Sequence, residues 1–186
     1  KDCGYLSVSE PFRGLMTQGM VCHQTFKSND GKWIFPHEVK KKNNKFYHTI
    51  NGSEVFPGRI EKMSKSKKNV VDPNDIIETF GADTARWFML SDSPPERDLQ
   101  WSETGIIASN KFINKLWDFV IKFKEYDHIN KNDGVLIERL KTIINEVSEN
   151  IDKFQFNKSV AKIYEFVNIL NESISKKDIS YDSFQW

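Results

Sequence analysis

The 186-residue chain sets 27 Lys and Arg against 26 Asp and Glu and is 38% hydrophobic, with 14 Phe and 5 Trp adding large buried side chains. That length supports one sizeable core or two small ones, and a net charge of +1 steers no distant partner, so any nucleic-acid contact depends on local clusters. Cys3 and Cys22 form no CxxC pair, the four histidines (His23, His37, His48, His128) lack ligand spacing, and no apolar run nears the ~20 residues of a membrane span.

These exclusions argue against a metal site, a structural disulfide or a membrane protein. With no signal-peptide pattern at the start, they lead us to expect a soluble, cytoplasmic protein. The first residue is Lys1, and the chain stops at Phe184-Gln185-Trp186 without a domain-edge signal, so a piece of a larger protein is expected.

In chain order, Pro11-Phe12-Arg13-Gly14-Leu15 predicts a turn, and Thr17-Gln18-Gly19-Met20-Val21 the start of a strand. Residues 22–60 read as β. Cys22–Phe26 and Lys32–Phe35 flank Asn29-Asp30-Gly31, and Phe46–Ile50 and Glu54–Phe56 flank Asn51-Gly52. Asp-Gly and Asn-Gly supply positive φ cheaply, which makes both pairs hairpins. The run Lys40-Lys41-Lys42-Asn43-Asn44-Lys45 between them reads as a solvated loop tip.

From residue 61 the pattern turns helical. Asp72 is an N-cap followed by Pro73, Asn74–Phe80 is a short helix, and Gly81 is its stop. Asp83 is read as the cap of a second helix through Leu90, stopped by Pro94-Pro95. Ser102 caps a long helix with Ile106, Phe112, Ile113, Leu116, Trp117, Phe119, Val120 and Phe123 at spacings of three and four. Val135–Ile151 carries the stripe Leu136, Leu140, Ile144, Val147, Ile151, and Asn157 is read as capping a last helix with Val160, Ile163, Tyr164, Val167 and Leu170 on its face. These stripes predict bundle core. The fold class expected is therefore α+β, a small β-rich module followed by a lysine-rich loop and an α-helical bundle.

That loop, Lys62-Met63-Ser64-Lys65-Ser66-Lys67, carries the chemistry. Two lysines three apart with small hydroxylated residues between them can wrap an anion: ammonium groups give mobile point charges, and hydroxyl and backbone N–H groups give directional donors. Taken as charges alone, such a loop is often only solvated.

Lys62–Ser66 reads KMSKS, the second signature of the class I aminoacyl-tRNA synthetases, without a departure. The following EKMSKSKKNVVDPNDIIETFGADTARWFML resembles the leucine, isoleucine, valine and methionine enzymes. SDSPPERDLQWSETGIIASNKFINKLWDF, LMTQGMV and FNKSVAKIYEFVNIL resemble the leucyl-tRNA synthetase family in particular. The resemblance covers nearly the whole chain and is weakest over residues 22–60 and 172–186.

The resemblance implies that residues 1–21 end a catalytic Rossmann-type domain and that residues 22–60 form a β-rich leucine-specific insertion. Residues 61–101 would hold the KMSKS loop and a helical junction, and 102–186 part of an anticodon-binding bundle. It implies activation of leucine by ATP (with Mg2+ on the nucleotide) and transfer to the leucine tRNA by a monomeric parent enzyme. Lys65 would be the principal ATP contact and Lys62 its support, with Met63, Ser64 and Ser66 in the loop and Gly19 and Met20 near the nucleotide. Lys67 and Lys68 read as flanking charge, Trp101, Arg86 and Trp87 as junction residues, and Arg13, Lys111 and Lys115 as possible tRNA contacts. No HIGH-type motif occurs in the chain, and the leucine pocket and editing domain would lie upstream in the family, so the isolated chain is expected to be inactive. The competing readings are an isoleucyl, valyl or methionyl parent, or a non-catalytic tRNA-docking module.

Overall fold

A computed structural model describes residues 2–124 and 134–175. The apolar residues gather in three separate cores along the chain. The first belongs to a sheet. Strand β1 (Val21–Ser28) pairs antiparallel with β2 (Trp33–Ile34) and with β5 (Glu54–Lys62), while β3 (Val39–Lys42), β4 (Lys45–His48) and β5 follow one another as antiparallel neighbours. Phe26, Ile34 and Val55 are buried between them with Val39 and Phe46 alongside, and the Phe26 and Phe46 rings lie 5.3 Å apart.

Both expected hairpins form, with shifted ends. The β1–β2 turn carries Gly31 at φ 81°, and the β4–β5 turn carries Gly52 at φ 69°. The strand expected over Phe46–Ile50 ends at His48, because the His48 carbonyl accepts the Gly52 N–H to close the turn, and Ile50 is left exposed. The lysine run is not a loop tip throughout. Lys40–Lys42 belongs to β3 and Lys45 to β4, and only Asn43 and Asn44 turn, at φ 49° and 61°. Asparagine tolerates the left-handed region that a two-residue hairpin requires.

The seams expected at 21/22 and 60/61 fall inside strands, since β1 and β5 run through them as one ladder with Cys22 opposite Lys62. A bulge between Gln24 and Phe26 turns the buried Thr25 hydroxyl onto the Arg59 carbonyl at 2.7 Å. Gly58 is required there, because a Cβ would overlap the Thr25 hydroxyl.

The second core is the junction. Helix α1 (Pro73–Phe80) starts where the Asp72 carboxylate accepts the Asn74 N–H at 2.9 Å. Gly81, at φ 85°, both ends α1 and begins α2 (Ala82–Ser91), so Asp83 lies inside the first turn of α2 and pairs with Arg86 instead of capping. Short β6 (Leu99–Gln100) pairs parallel with the start of β1. Phe88, Leu99 and Ile106 are buried here, with Val21, Ile76, Phe80 and Trp101 packed against them.

The third core is the bundle of α3 (Glu103–Lys124), α4 (Gly134–Asp152) and α5 (Phe156–Ser175). Ser102 caps α3 as expected, accepting the Gly105 N–H at 3.2 Å. Phe119, Phe123, Leu136 and Leu170 form the cluster. Three details of the sequence reading are corrected. Trp117 is 69% exposed, on the side of α3 opposite Phe112 and Phe119. In α4 Leu136 and Ile143 are buried, while Ile144 and Ile151 of the expected stripe are exposed, because the stripe from Leu136 through Leu140 continues at +3. Helix α5 begins at Phe156, so Asn157 lies within it, and the Gln155 carbonyl accepts the Lys158 and Ser159 N–H groups at its start. The expected Trp186 end and His128 lie outside the described residues. Among the described residues no helix is long and apolar enough to cross a membrane.

Candidate functional site

The lysine loop grows out of the paired ends of β1 and β5. Lys62 closes β5, and the Met63 N–H donates to the Val21 carbonyl at 2.9 Å, which carries the ladder one residue into the motif. Ser64 is extended (φ −149°, ψ 134°), Lys65–Lys67 form a single 3-10 turn, and Lys68 turns the chain at φ 54°. The Ser64 and Ser66 hydroxyls hydrogen-bond each other at 2.8 Å across the turn.

The four lysines after Glu61 are not equivalent. Lys67 is clasped by the Glu61 carboxylate, which its ammonium holds below the usual carboxylate range. Lys68 lies over the Phe35 ring, 5.0 Å from its centroid. Lys62 and Lys65 are exposed, and among the described residues neither has an ion-pair partner. An unpaired exposed ammonium keeps its full charge for an incoming anion, whereas a paired one must first exchange its carboxylate.

Gly19 and Met20 stand just upstream of the same strand end. The Gly19 N–H donates to the Pro95 carbonyl at 2.8 Å and the Met20 N–H to the Asp98 carboxylate at 2.8 Å. A Cβ at Gly19 would overlap the Arg97 carbonyl, so close backbone packing against residues 95–98 explains the glycine. The Met20 carbonyl in turn accepts the Leu99 N–H at 2.9 Å. The backbone donors of Gly19 and Met20 are therefore used within the chain.

The residue that sequence reasoning missed is Asn69, with no exposed surface at all. Its carboxamide accepts the Ser64 N–H and donates to the carbonyls of Glu61, Lys62 and His23. Asparagine after a basic run gives no local signal of such a role, and the His23 contact spans 46 residues.

Next to this brace lies a cleft of about 520 Å³ between sheet and junction, lined by His23, Phe35, Val70, Ile76, Trp101 and Glu103 among others. His23 Nδ1 is buried there with no hydrogen-bond partner among the described residues, and burial lowers the imidazole's pKa below its ordinary value, with Glu103 opposing the shift.

Of the junction residues, Trp87 stacks on Phe112 at 4.9 Å and donates its indole N–H to the Tyr164 hydroxyl at 2.9 Å, tying α2 to α3 and α5. Trp101 meets Phe88 edge-on at 5.3 Å. Arg86 stays exposed with Asp83. Lys115, one of the three basic residues considered as tRNA contacts, donates to Asn168 across the bundle at 2.8 Å, while Arg13 and Lys111 lie exposed.

The model of the family described as tRNA synthetases class I (M) matches residues 32–123, which include the whole loop. The leucine–tRNA ligase of Paramagnetospirillum magneticum is 50% identical over 179 residues, covering 92% of this chain and 21% of that protein. That of Rickettsia bellii is 47% identical, with 94% and 21% covered. A crystal structure of an Agrobacterium radiobacter LeuRS in ternary complex with tRNA and LeuAMS covers 94% of this chain and 20% of its own, with a TM-score of 0.67 at 24% identity, a likeness of fold. The chain thus spans about a fifth of the relatives it matches. With close to half of its residues identical to theirs along nearly its full length, it belongs to the leucine–tRNA ligase family of class I tRNA synthetases.

Proposed function

We propose that this segment supplies the cationic side of the ATP site in an enzyme that activates leucine and charges the leucine tRNA. Leucine's carboxylate attacks the α-phosphorus of ATP, the bond to the bridging oxygen breaks, and leucyl-adenylate and pyrophosphate result. A hydroxyl at the 3′ end of the tRNA then attacks the leucyl carbonyl, the acyl–phosphate bond breaks, and AMP leaves. Charge builds on the phosphoryl oxygens and the leaving pyrophosphate, so positioning and cationic stabilisation dominate the chemistry.

The observation that carries this reading is the division of labour among the lysines. Lys67 and Lys68 are engaged by the protein, whereas Lys65 stands exposed and unpaired on a loop whose backbone is pinned at both ends. Lys65 is assigned as the principal phosphate contact and Lys62 as its support. Ser64 and Ser66 shape the turn, Met63 ties it to β1, and Gly19 and Met20 form the neighbouring backbone. Mg2+ arrives with the nucleotide. The helices from residue 102 onward are assigned to the anticodon-binding bundle of a cytoplasmic, monomeric enzyme. The leucine–tRNA ligase relatives support leucine as the amino acid.

The test is ATP–pyrophosphate exchange by the full-length ligase carrying this segment, with leucine, isoleucine, valine and methionine supplied in turn. Leucine alone should drive fast exchange. Equal or faster exchange with another of the four overturns the assignment.

A further inference from the structure

Asn69 is the most completely enclosed polar side chain described in the chain, and each of its contacts is a backbone group. Oδ1 accepts the Ser64 N–H at 2.9 Å. Nδ2 faces the Glu61, His23 and Lys62 carbonyls at 3.1, 3.2 and 3.3 Å. An amide nitrogen has two hydrogens, so the adjacent Glu61 and Lys62 carbonyls share one and His23 takes the other. The orientation is unambiguous, because a flipped carboxamide would set its NH2 against the Ser64 N–H and its oxygen against three carbonyls.

These contacts join three places: the middle of β1, the last residues of β5, and the first residue of the loop. Between Ser64 and Asn69 only residues 65–68 remain, closed into a ring by the Ser64–Asn69 hydrogen bond. Lys65 opens that ring. The lysine side chain is long and freely rotating, so the direction in which its stem leaves the protein is set by the backbone beneath it. In this chain the other ties on that backbone, the two hydrogen bonds of the 3-10 turn, the Ser64–Ser66 hydroxyl pair and the Lys67–Glu61 ion pair, all involve residues that are not buried, whereas the Asn69 carboxamide is fully enclosed beneath them.

We infer that Asn69 is the positioning residue of the lysine loop, its carboxamide holding the ring of residues 65–68 so that Lys65 is directed at the nucleotide's phosphates. The inference rests on Lys65 being the phosphate contact proposed above. Asn69 touches no substrate and acts through Lys65. An alternative role, that of a buried polar residue holding the fold and nothing more, predicts lost stability with unchanged turnover by the molecules that fold.

The two roles separate in a double-mutant cycle in the full-length ligase, read by leucine-dependent ATP–pyrophosphate exchange at saturating leucine. Asn69→Ala should lower kcat ten- to hundredfold with the leucine KM within twofold, since the leucine pocket is untouched. On a Lys65→Ala background the same change should lower kcat by less than threefold more, because there is no longer a lysine to aim. Asn69→Ser, which can keep one hydrogen bond and admit a water, should fall between wild type and Asn69→Ala, and it serves if the alanine variant does not fold. Exchange within twofold of wild type by folded Asn69→Ala or Asn69→Ser, or losses that multiply fully in the double variant, overturns the inference. If Lys65→Ala alone leaves exchange normal, the phosphate contact itself is wrong, and the positioning role falls with it.

Discussion

The lysine loop and the helical bundle are ordered by opposite means. The bundle is held by side chains of large apolar area, with Phe119, Phe123, Leu136 and Leu170 buried together. The loop buries no apolar residue and is held by polar contacts: one carboxamide, a strand-end hydrogen bond, the two hydrogen bonds of its 3-10 turn, a serine pair and the Lys67–Glu61 ion pair. Apolar burial is non-directional, tolerates rearrangement and scales with area. Hydrogen bonds to a buried amide are directional and contribute little net stability, while leaving them unmade is expensive. For the docking role proposed for the bundle the first suffices. The role proposed for Lys65, one ammonium held at one place, needs the second.

The comparison breaks most visibly in the bundle. Phe123 is 2% exposed, and Phe123→Ala should destabilise the chain by about 3–5 kcal/mol through lost transfer energy and the cavity left behind. Denaturant unfolding followed by helical circular dichroism measures this. A loss below ~1 kcal/mol would mean that the cluster is not the bundle's core.

In the loop the expectation inverts. Lys65→Ala should leave the unfolding midpoint of the chain unchanged, because an exposed, unpaired side chain contributes no packing. In the full-length ligase it should cut leucine-dependent exchange about a hundredfold, which corresponds to about 2.7 kcal/mol of transition-state stabilisation. A shifted midpoint with normal exchange would reverse the assignment of the two regions.

Between them lies the aromatic joint. Tyr164→Phe removes the acceptor of the Trp87 indole N–H while keeping the ring tilted against Phe112, 4.1 Å between centroids. The expected loss is about 1 kcal/mol, the net worth of one part-buried hydrogen bond. A much larger loss would show that the joint, more than the Phe cluster, holds α2 on the bundle.

The same contrast explains what could be read from the residues in advance. Signals that act within a few residues were legible: Asp72 with Pro73, Gly81, Ser102, and the glycines of both β turns all sit where their local chemistry places them. The α4 stripe was legible in period but not in phase, since Ile143 and Ile144 satisfy the spacing from Leu136 and Leu140 about equally and only tertiary contact selects one. The Asn43-Asn44 hairpin was hidden because a lysine-rich run looks solvated even when it forms strands with exposed faces. The KMSKS residues were recognisable as a motif, but the pairing of Lys67 with Glu61 and the contacts of Asn69 were not. The latter depend on β1 lying beside β5, and no local rule carries that information.

The smallest effect concerns the far end of that sheet, where order is again local and polar. In the β1–β2 turn the Asp30 carboxylate accepts from Lys32 and from the Ser28 hydroxyl, and these bonds, Lys32 first, lower its pKa from the ordinary 3.8 to about 2. A folded-state pKa below the unfolded one stabilises the folded form above the unfolded value and loses that contribution as pH falls through the folded one. The interaction is therefore fully present at neutral pH and disappears between about pH 4 and pH 2. Both side chains are exposed, so salt screens the pair and the contribution is small. Asp30→Asn should lower the unfolding midpoint slightly at pH 7 in low salt. The difference from wild type should shrink in 1 M salt and vanish near pH 2. A difference that persists at both extremes would mean that Asp30 holds the turn through its uncharged oxygen contacts, and that even this exposed hairpin is ordered by direction more than by charge.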